Sequence, residues 1–207
     1  MTTPTDPFAL TQWRHAVAGL YGHVREASNA NGAATAEHFR RGRDALFKTH
    51  PSSPLSLEQR AAFEGLDYYP FNPAYSVLGT LDRAVEHQSE ETDLAADGVL
   101  RYTRVAQAHF ELGGEVGMLN AYWLEGYGGG LFLPFRDCTN GETTYGGGRF
   151  LYDTIKGADL GVTDEQVVLD FNYAYNPSCA YADRWVCPLI PEENRLELAV
   201  EAGERVL

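Results

Sequence analysis

Apolar residues near the start of the chain recur at helical spacing. A first amphipathic helix is indicated by four positions spaced by four, three and four residues: Trp13, Val17, Leu20 and Val24. Asp6 followed by Pro7 is typical of a helix start. After the break "ASNANGAA", Thr35 is expected to open a second helix with three apolar residues facing inward: Phe39, Leu46 and Phe47. Ser56–Gln59 matches a capping box and predicts a short third helix.

Further along the chain the apolar period changes to two, which is the period of a strand. Residues 100–112 alternate between apolar and polar side chains, and the turns "GGEVG" and "GYGGG" predict that this strand continues into a three-stranded antiparallel meander. More short strands are expected at "YSVLGTLDR", "RFLY", "VVLDF" and the C-terminal "RLELAVEAGE". The acidic residues 84–98 are expected to form an exposed loop, because runs of charge are usually solvated.

Helices followed by sequential antiparallel strands indicate an α+β fold. We expect N-terminal helices and then a mainly antiparallel, strongly curved β-sheet or partly closed β-barrel. The predicted organisation is one domain over residues 1–207, with a helical part at 1–66 and a β-rich part at 67–207.

The net charge and the cysteine content limit the binding partners and the cellular compartment that we expect for this chain. The formal net charge of −13 opposes binding to nucleic acid or to an anionic lipid surface, so we expect neither as a partner. No run of apolar residues is long enough to cross a bilayer, and the N-terminal residues do not resemble a signal peptide. Three cysteines are an odd number, unlike a secreted disulfide framework. These features predict a cytoplasmic protein with reduced thiols; the oligomeric state stays open.

A first candidate site is the glycine-rich stretch "PFRDCTNGETTYGGGR" at residues 134–149. Arg136 and Arg149 flank the glycines and, with Tyr145, could hold an anionic group, because guanidinium pairs bidentately with carboxylate or phosphate. The alternative is that the arginines pair with neighbouring carboxylates and only pin a long hairpin loop.

A second candidate site is "DFNYAYNPSCAYADRWVCP" at residues 170–188. Its phenols and amides are of the kind that provide the polar groups of an otherwise apolar small-molecule pocket, and we expect four of them to contact a ligand: Asn172, Tyr175, Asn176 and Tyr181. Asn176 is equally suited to bracing a turn before Pro177. We predict that this segment lines one wall of a pocket and faces the 134–149 loop.

Cys179 carries the nucleophile hypothesis. Asn176 and Pro177 predict a helix start that would place this thiol near a positive dipole end, which favours the thiolate. His50 and His109 are the candidates for its base, and Asp170 is the candidate for further acid–base chemistry. Three alternatives stay open: a packed thiol, a reversible disulfide with Cys187, and a metal site whose ligand spacing is unlike that of structural zinc. The sequence specifies no metal and no cofactor.

Three long motifs resemble an uncharacterised family of bacterial and archaeal proteins, a domain of unknown function. They are "FKTHPSSPL" with "FEGLDYYPFNPAY", then "FLPFRDCTNGETTYGGGRFL", then "DFNYAYNPSCAYADRWVCPLIPEENRLELAVEAGE". The resemblance extends over residues 10–205. It implies a single unit of cytoplasmic bacterial or archaeal origin, and it implies no activity, cofactor or catalytic residue.

The function is therefore open at the level of sequence. The favoured hypothesis is small-molecule binding in an aromatic pocket with an arginine anchor. The first alternative is a hydrolase-like enzyme that uses Asp170 and His50 as acid and base, or Cys179 as nucleophile. The second alternative is a structural or interaction protein in which both motifs brace loops.

Overall fold

The computed structural model describes residues 6–27, 31–94 and 98–206. Three helices come first: α1 (Pro7–Glu26), α2 (Gly32–Thr49) and α3 (Leu57–Ala62). Seven strands follow within these ranges: β1 (Ser76–Asp82), β2 (Ser89–Asp93), β3 (Val99–Leu112), β4 (Glu115–Leu124), β5 (Gly130–Phe135), β6 (Arg149–Asp153) and β7 (Gln166–Asp170). The strands form a strongly curved antiparallel half-barrel, so the expected α+β class is confirmed.

Local sequence signals fix the starts of α1 and α3 as predicted, whereas α2 begins at Gly32, before the expected Thr35. The Asp6 carboxylate accepts a hydrogen bond from the Phe8 amide at 2.9 Å, and Pro7 occupies the first helical position of α1. At α3 the Ser56 hydroxyl accepts from the Gln59 amide, and the Gln59 side chain accepts from the Ser56 amide. The predicted capping box is confirmed. Among the described residues, no helix combines the length and apolar content needed to cross a membrane.

The sheet runs in the order β6-β5-β4-β3-β1-β7, with β2 also paired to β3. β3 is the longest strand and connects the parts of the sheet: its first half pairs with β2 and its second half with β1. The register between β3 and β4 shifts between Arg104 and Ala106, an irregularity of the kind that bends a strand and increases its twist.

Helices α1 and α2 share their buried face with the sheet. Val17, Tyr21 and Phe39 belong to the same apolar cluster as strand residues such as Leu133 and Leu151. The aromatic rings of Tyr21, Phe39 and Tyr173 meet edge to face with centroids 5.0 Å apart at each step. The predicted inward face of the helices therefore forms the main core.

Two segments differ from the sequence prediction. The acidic residues 84–98 were expected to be a loop but contain β2, whose Glu91 forms an ion pair with Arg101 across the strand pair. A charged edge strand resembles a solvated loop in sequence because few of its side chains are buried. The C-terminal "RLELAVEAGE" was expected to be a strand, but among the described residues only two isolated bridges form there, between Arg136 and Arg195 and between Tyr68 and Glu204. Its alternation reflects the burial of Leu196 and Val200 in the core, without a neighbouring strand along its length.

Candidate ligand-binding site

A cavity of about 480 Å³ lies between helices α1 and α2, the β4–β6 end of the sheet and residues 175–188. Its wall is largely apolar and includes aromatic rings from the helices, the sheet and the C-terminal segment: Trp13, Tyr21, Phe47, Phe150, Tyr175 and Trp185. A cavity of this volume accommodates a small organic molecule, since such sites typically measure about 300–1,000 Å³.

The segment after β7 reaches the cavity by pairing with β6. Phe150 and Tyr175 exchange two backbone hydrogen bonds, with N–O distances of 2.9 and 3.1 Å. This bridge brings Tyr175 and Asn176 against the wall, and Tyr181 follows from a short 3-10 turn at Ser178–Ala180. The predicted helix start at this turn is wrong: Asn176 does not cap it, because its side-chain amide donates to the Arg205 carbonyl at 2.8 Å.

A buried ion pair lies beneath one side of the cavity. Arg43 of α2 donates to Glu204 at 2.8 Å, with side chains 7% and 1% exposed, and also to the Tyr68 hydroxyl at 3.1 Å. Glu204 accepts two further hydrogen bonds, from the Tyr181 hydroxyl and from the Asn176 amide. Burial raises the pKa of Glu204 to about 7, and the Arg43 charge opposes this shift only in part.

Three oxygen atoms at the cavity wall are buried and have no hydrogen-bond partner among the described residues: Tyr21 Oη, Tyr175 Oη and Asn176 Oδ1. Burial of an unpaired hydroxyl or amide oxygen is unfavourable by roughly 1–3 kcal/mol. Native proteins rarely leave several such atoms together unless something else satisfies them. The deep side of the cavity therefore has unused capacity for hydrogen bonds.

Basic side chains lie at the outer side of the cavity. Lys156 is exposed and pairs with the buried carboxylate of Asp153 at 2.9 Å. Arg14 of α1 is also exposed at this rim and has no ion pair with a described residue. The cavity thus combines aromatic walls with cationic groups at its edge.

Two thiols lie beside the cavity. The Cys179 amide donates to Cys187 Sγ at 3.3 Å, and the Tyr145 hydroxyl donates to Cys179 Sγ at 3.6 Å. Cys187 lines the cavity, and so does Ser178, the residue before Cys179. Cys179 and Cys187 are both half-buried. The hydrogen bond from Cys187 is the main reason that the pKa of Cys179 is lowered to about 6, with Tyr145 and the Lys156 charge contributing. The same contact, together with burial, raises the pKa of Cys187.

The two arginines predicted to bind a ligand lie away from the cavity wall. Arg149 is fully buried; it pairs with Asp137 at 2.8 Å and donates to the backbone carbonyls of Val200 and Ala202. Its guanidinium therefore holds the C-terminal segment against the 134–149 loop. Arg136 is half-exposed and contacts Glu192 at 3.5 Å and the Gly146 carbonyl.

Asp170 and Asn172 form a brace at the end of β7. Asp170 accepts hydrogen bonds from the backbone and side chain of Asn172, and Asn172 exchanges two further hydrogen bonds with the backbone of Asn72. Burial raises the pKa of Asp170, and these hydrogen bonds partly offset that shift.

His50 lies elsewhere, at the end of α2, where its ring accepts from the Ser52 amide and packs on Trp13. No contact between described residues joins His50 to Asp170.

The 134–149 loop and the 170–188 segment meet at Tyr145 and Cys179, and Phe150, the residue after the loop, pairs with Tyr175. Of the predicted ligand residues, Tyr175, Asn176 and Tyr181 line the cavity. Tyr145 does not line it but contacts Cys179, one of the two thiols beside it. Within the described ranges, no three histidine, cysteine, aspartate or glutamate side chains are gathered in a way that could hold a metal ion.

Sequence reasoning missed most of the polar groups around the cavity: Arg14, Tyr21, Arg43, Asp153, Lys156 and Glu204. For Arg43, the sequence did contain a signal of a buried charge. Arg43 falls between Phe39 and Phe47 at spacings of four, so it lies on the apolar face of α2, where a charge needs a partner. Nothing in the local sequence marks Glu204 as that partner, since 161 positions separate the two residues.

The chain belongs to the family described as proteins of unknown function, DUF1684, whose model matches residues 61–205. It is also similar to a solution NMR structure of an uncharacterised protein from gene locus rrnAC0354 of Haloarcula marismortui. The two sequences are 37% identical, the match covers 83% of this chain and 92% of the other, and the TM-score is 0.61. No curated protein matches the chain. The resemblance seen in the motifs is confirmed, and it assigns no function.

Proposed function

We propose that this protein binds a small organic molecule in the cavity between helices α1 and α2 and the sheet. The observation that carries the proposal is one aromatic cavity of about 480 Å³ whose wall includes three buried oxygens without a partner among the described residues. Apolar walls with a few convergent polar groups are the usual composition of a small-molecule site.

The cavity chemistry supports an amphipathic ligand. Its aromatic or aliphatic body would lie against Trp13, Phe150 and Trp185, while a hydroxyl or amide group would reach Tyr21 and Tyr175. Apolar burial would provide most of the affinity, and the polar contacts would fix the orientation.

An anionic head group would lie at the rim, where Arg14 and Lys156 provide positive charge. This keeps the predicted basic anchor but assigns it to residues other than Arg136 and Arg149, whose guanidinium groups contact Glu192 and Asp137. A carboxylate would form an exposed ion pair there, so its contribution to affinity should fall as salt is added.

The first test is native against denaturing mass spectrometry of the protein purified from its own host, followed by titration with the fluorescent anion anilinonaphthalene sulfonate. We expect either a mass that is lost on denaturation, or saturable binding of the probe that lowers the exposure of Trp13 to a quencher. No lost mass together with no saturable binding would reject the proposal.

Two phenylalanine variants on the same segment separate binding from stability. Tyr175→Phe removes a buried hydroxyl that has no partner in the described structure, so it should weaken probe binding and leave the free energy of unfolding unchanged within about 1 kcal/mol. Tyr181→Phe removes a donor to Glu204 and should lower that free energy by roughly 1–3 kcal/mol. Equal stability losses would show that the Tyr175 hydroxyl serves the fold.

A further inference from the structure

The thiol pair beside the cavity has a geometry that ligand binding does not require. Cys179 and Cys187 are eight positions apart in the chain, yet the amide of one lies 3.3 Å from the sulfur of the other. Both residues are free thiols, and each residue is half-buried. Cys138, the third cysteine, lies elsewhere, beside the Leu196 carbonyl.

We propose that Cys179 and Cys187 form a dithiol that reduces small-molecule disulfides, with Cys179 as the attacking thiolate and Cys187 as the resolving thiol. This activity goes beyond the binding function and does not depend on it. Of the two cysteines, only Cys187 is among the described residues that line the cavity, so the pair lies at its edge.

The reaction balances without a further reactant. The Cys179 thiolate attacks one sulfur of the disulfide; the reagent's S–S bond breaks, and one thiolate leaves and takes up a proton. Cys187 then loses its proton and attacks the Cys179 sulfur, which forms the intrachain disulfide and releases the second reagent thiolate. Two protein thiols are oxidised by two electrons in total, and one disulfide is reduced to two thiols.

The surroundings of the two cysteines differ, and this difference favours Cys179 as the attacking thiolate and Cys187 as the resolving thiol. The Cys187 thiol and the Tyr145 hydroxyl hydrogen-bond to Cys179 Sγ, which lowers the pKa of Cys179 to about 6 and keeps it ionised near neutral pH. The neighbouring thiolate and burial raise the pKa of Cys187, so the second thiol stays protonated. When Cys179 enters a mixed disulfide its negative charge is lost, and Cys187 becomes easier to ionise.

Histidine is not needed as the base. His50, the partner expected from the sequence, contacts Trp13 and Ser52 instead. Tyr145 occupies the hydrogen-bonding position next to the Cys179 sulfur, and burial together with that contact raises the pKa of its hydroxyl to about 12. Tyr145 is therefore a neutral donor to the thiolate, a positioning residue for the attack.

The test uses the full chain carrying Cys138→Ser, so that only the thiol pair can react, with hydroxyethyl disulfide as reagent. We expect the intact mass to fall by two hydrogen atoms with no stable adduct. Trypsin cleaves after Arg184, which lies between the two cysteines, so the peptides on either side should stay joined until a reductant is added. Stable adducts on both cysteines, or no reaction of either, would overturn the proposal.

Single-thiol variants in the same background identify the attacking sulfur. Cys187→Ser keeps a hydroxyl donor near Cys179 and should accumulate one mixed disulfide at Cys179. Cys179→Ser should react more slowly by roughly tenfold, because the remaining thiol is largely protonated. If Cys179→Ser reacts as fast as Cys187→Ser, the assigned roles are wrong. Circular dichroism of each variant establishes that the fold is kept.

A tyrosine pair tests the donor to the thiolate. Tyr145→Phe should slow the reaction several-fold at pH values around 6 and have less effect at higher pH, where the thiol ionises without help. Tyr127→Phe, at a fully exposed tyrosine, is the control and should leave the rate unchanged at every pH. A loss of rate that does not vary with pH would argue against Tyr145 as a donor to the thiolate. Cys179 is not among the described residues that line the cavity, so Cys179→Ser should slow the exchange and keep probe binding unchanged, and failure of one proposal can be told from failure of the other.

Discussion

At the residue scale, the most constrained group is the carboxylate of Glu204. It lies in the core, accepts from Arg43, Tyr181 and Asn176, and has a pKa of about 7 because burial disfavours its charge. A buried ion pair contributes little net stability, whereas removal of one partner leaves an uncompensated charge. The pair thus holds α2, the C-terminal segment and the cavity wall in one arrangement.

The pH dependence of stability should report on this carboxylate. Between pH 4.5, its ordinary pKa, and about 7, Glu204 holds its proton in the folded chain and has lost it in the unfolded chain. The free energy of unfolding therefore falls as pH rises through that window. Glu204→Gln cannot titrate, so the stability difference between wild type and this variant should fall by about 1.4 kcal/mol per pH unit there and level off above it.

The measurement is urea unfolding of wild type, Glu204→Gln and Glu201→Gln at a series of pH values. Glu201 is an exposed carboxylate three positions earlier, so its variant should follow the wild-type profile. If the free energies of unfolding of wild type and Glu204→Gln vary with pH in parallel, Glu204 ionises in the folded protein as it does in the unfolded one.

At the element scale, the position of α1 defines the rim of the cavity. The chain leaves β6 through a short turn at Thr154–Lys156, and Gly157 ends this turn with φ of 88°. A Cβ on Gly157 would lie 2.9 Å from the backbone nitrogen of Ala18 in α1. Two positions further on, Asp159 pairs with Arg25 at the end of the same helix. These contacts place α1 over the turn that carries Ile155 and Lys156 of the cavity wall.

Alanine at Gly157 should therefore be more harmful than alanine at a glycine that only needs positive φ. Gly114, in the β3–β4 turn, has φ of 86° and open space around it. Gly114→Ala should lower the free energy of unfolding by about 1–2 kcal/mol from backbone strain alone. Gly157→Ala should lower it by roughly 1–3 kcal/mol more, because the α1 backbone must shift.

Chemical unfolding of both variants supplies the comparison, and anilinonaphthalene sulfonate binding shows whether the rim has moved. We expect altered probe binding only for Gly157→Ala. Equal losses of stability in the two variants would mean that α1 accommodates the extra methyl group without a shift.

At the scale of the whole molecule, the helices and the sheet share one core and one cavity. Val17 and Phe39 pack in the same cluster as Leu169 of β7, and both parts of the chain line the cavity. The family model begins at residue 61, so the helical side of the cavity precedes the matched range. The prediction of a single domain over residues 1–207 can be tested by asking whether both parts unfold together.

Two variants with one tryptophan each provide the test. One keeps Trp13 in α1 and the other keeps Trp123 in β4, with phenylalanine at the other two tryptophan positions in each. If the chain is one cooperative unit, tryptophan fluorescence and far-ultraviolet circular dichroism should give the same urea midpoint within each variant. A Trp13 transition that precedes the loss of circular dichroism would separate the helices from the sheet.

Short-range patterns in the sequence determined much of the architecture. The helical spacing from Trp13 to Val24, the capping box at Ser56–Gln59 and the alternation over residues 100–112 each describe neighbours along the chain. Such signals follow from the periods of helix and strand, so the fold class and the inward faces could be predicted from them. The long motifs likewise sufficed to indicate the family.

The site depended on contacts between distant parts of the chain. Arg136 and Arg149 had the right chemistry for an anion, but a buried partner, Asp137, binds the second of them. The cavity instead uses Arg14 and Arg43 from the helices, and Glu204 becomes a partner of Arg43 only when the C-terminal segment reaches α2. Local sequence determines periodicity and caps, whereas tertiary packing decides which charges are buried together, because that depends on where long-range strand pairing places each segment.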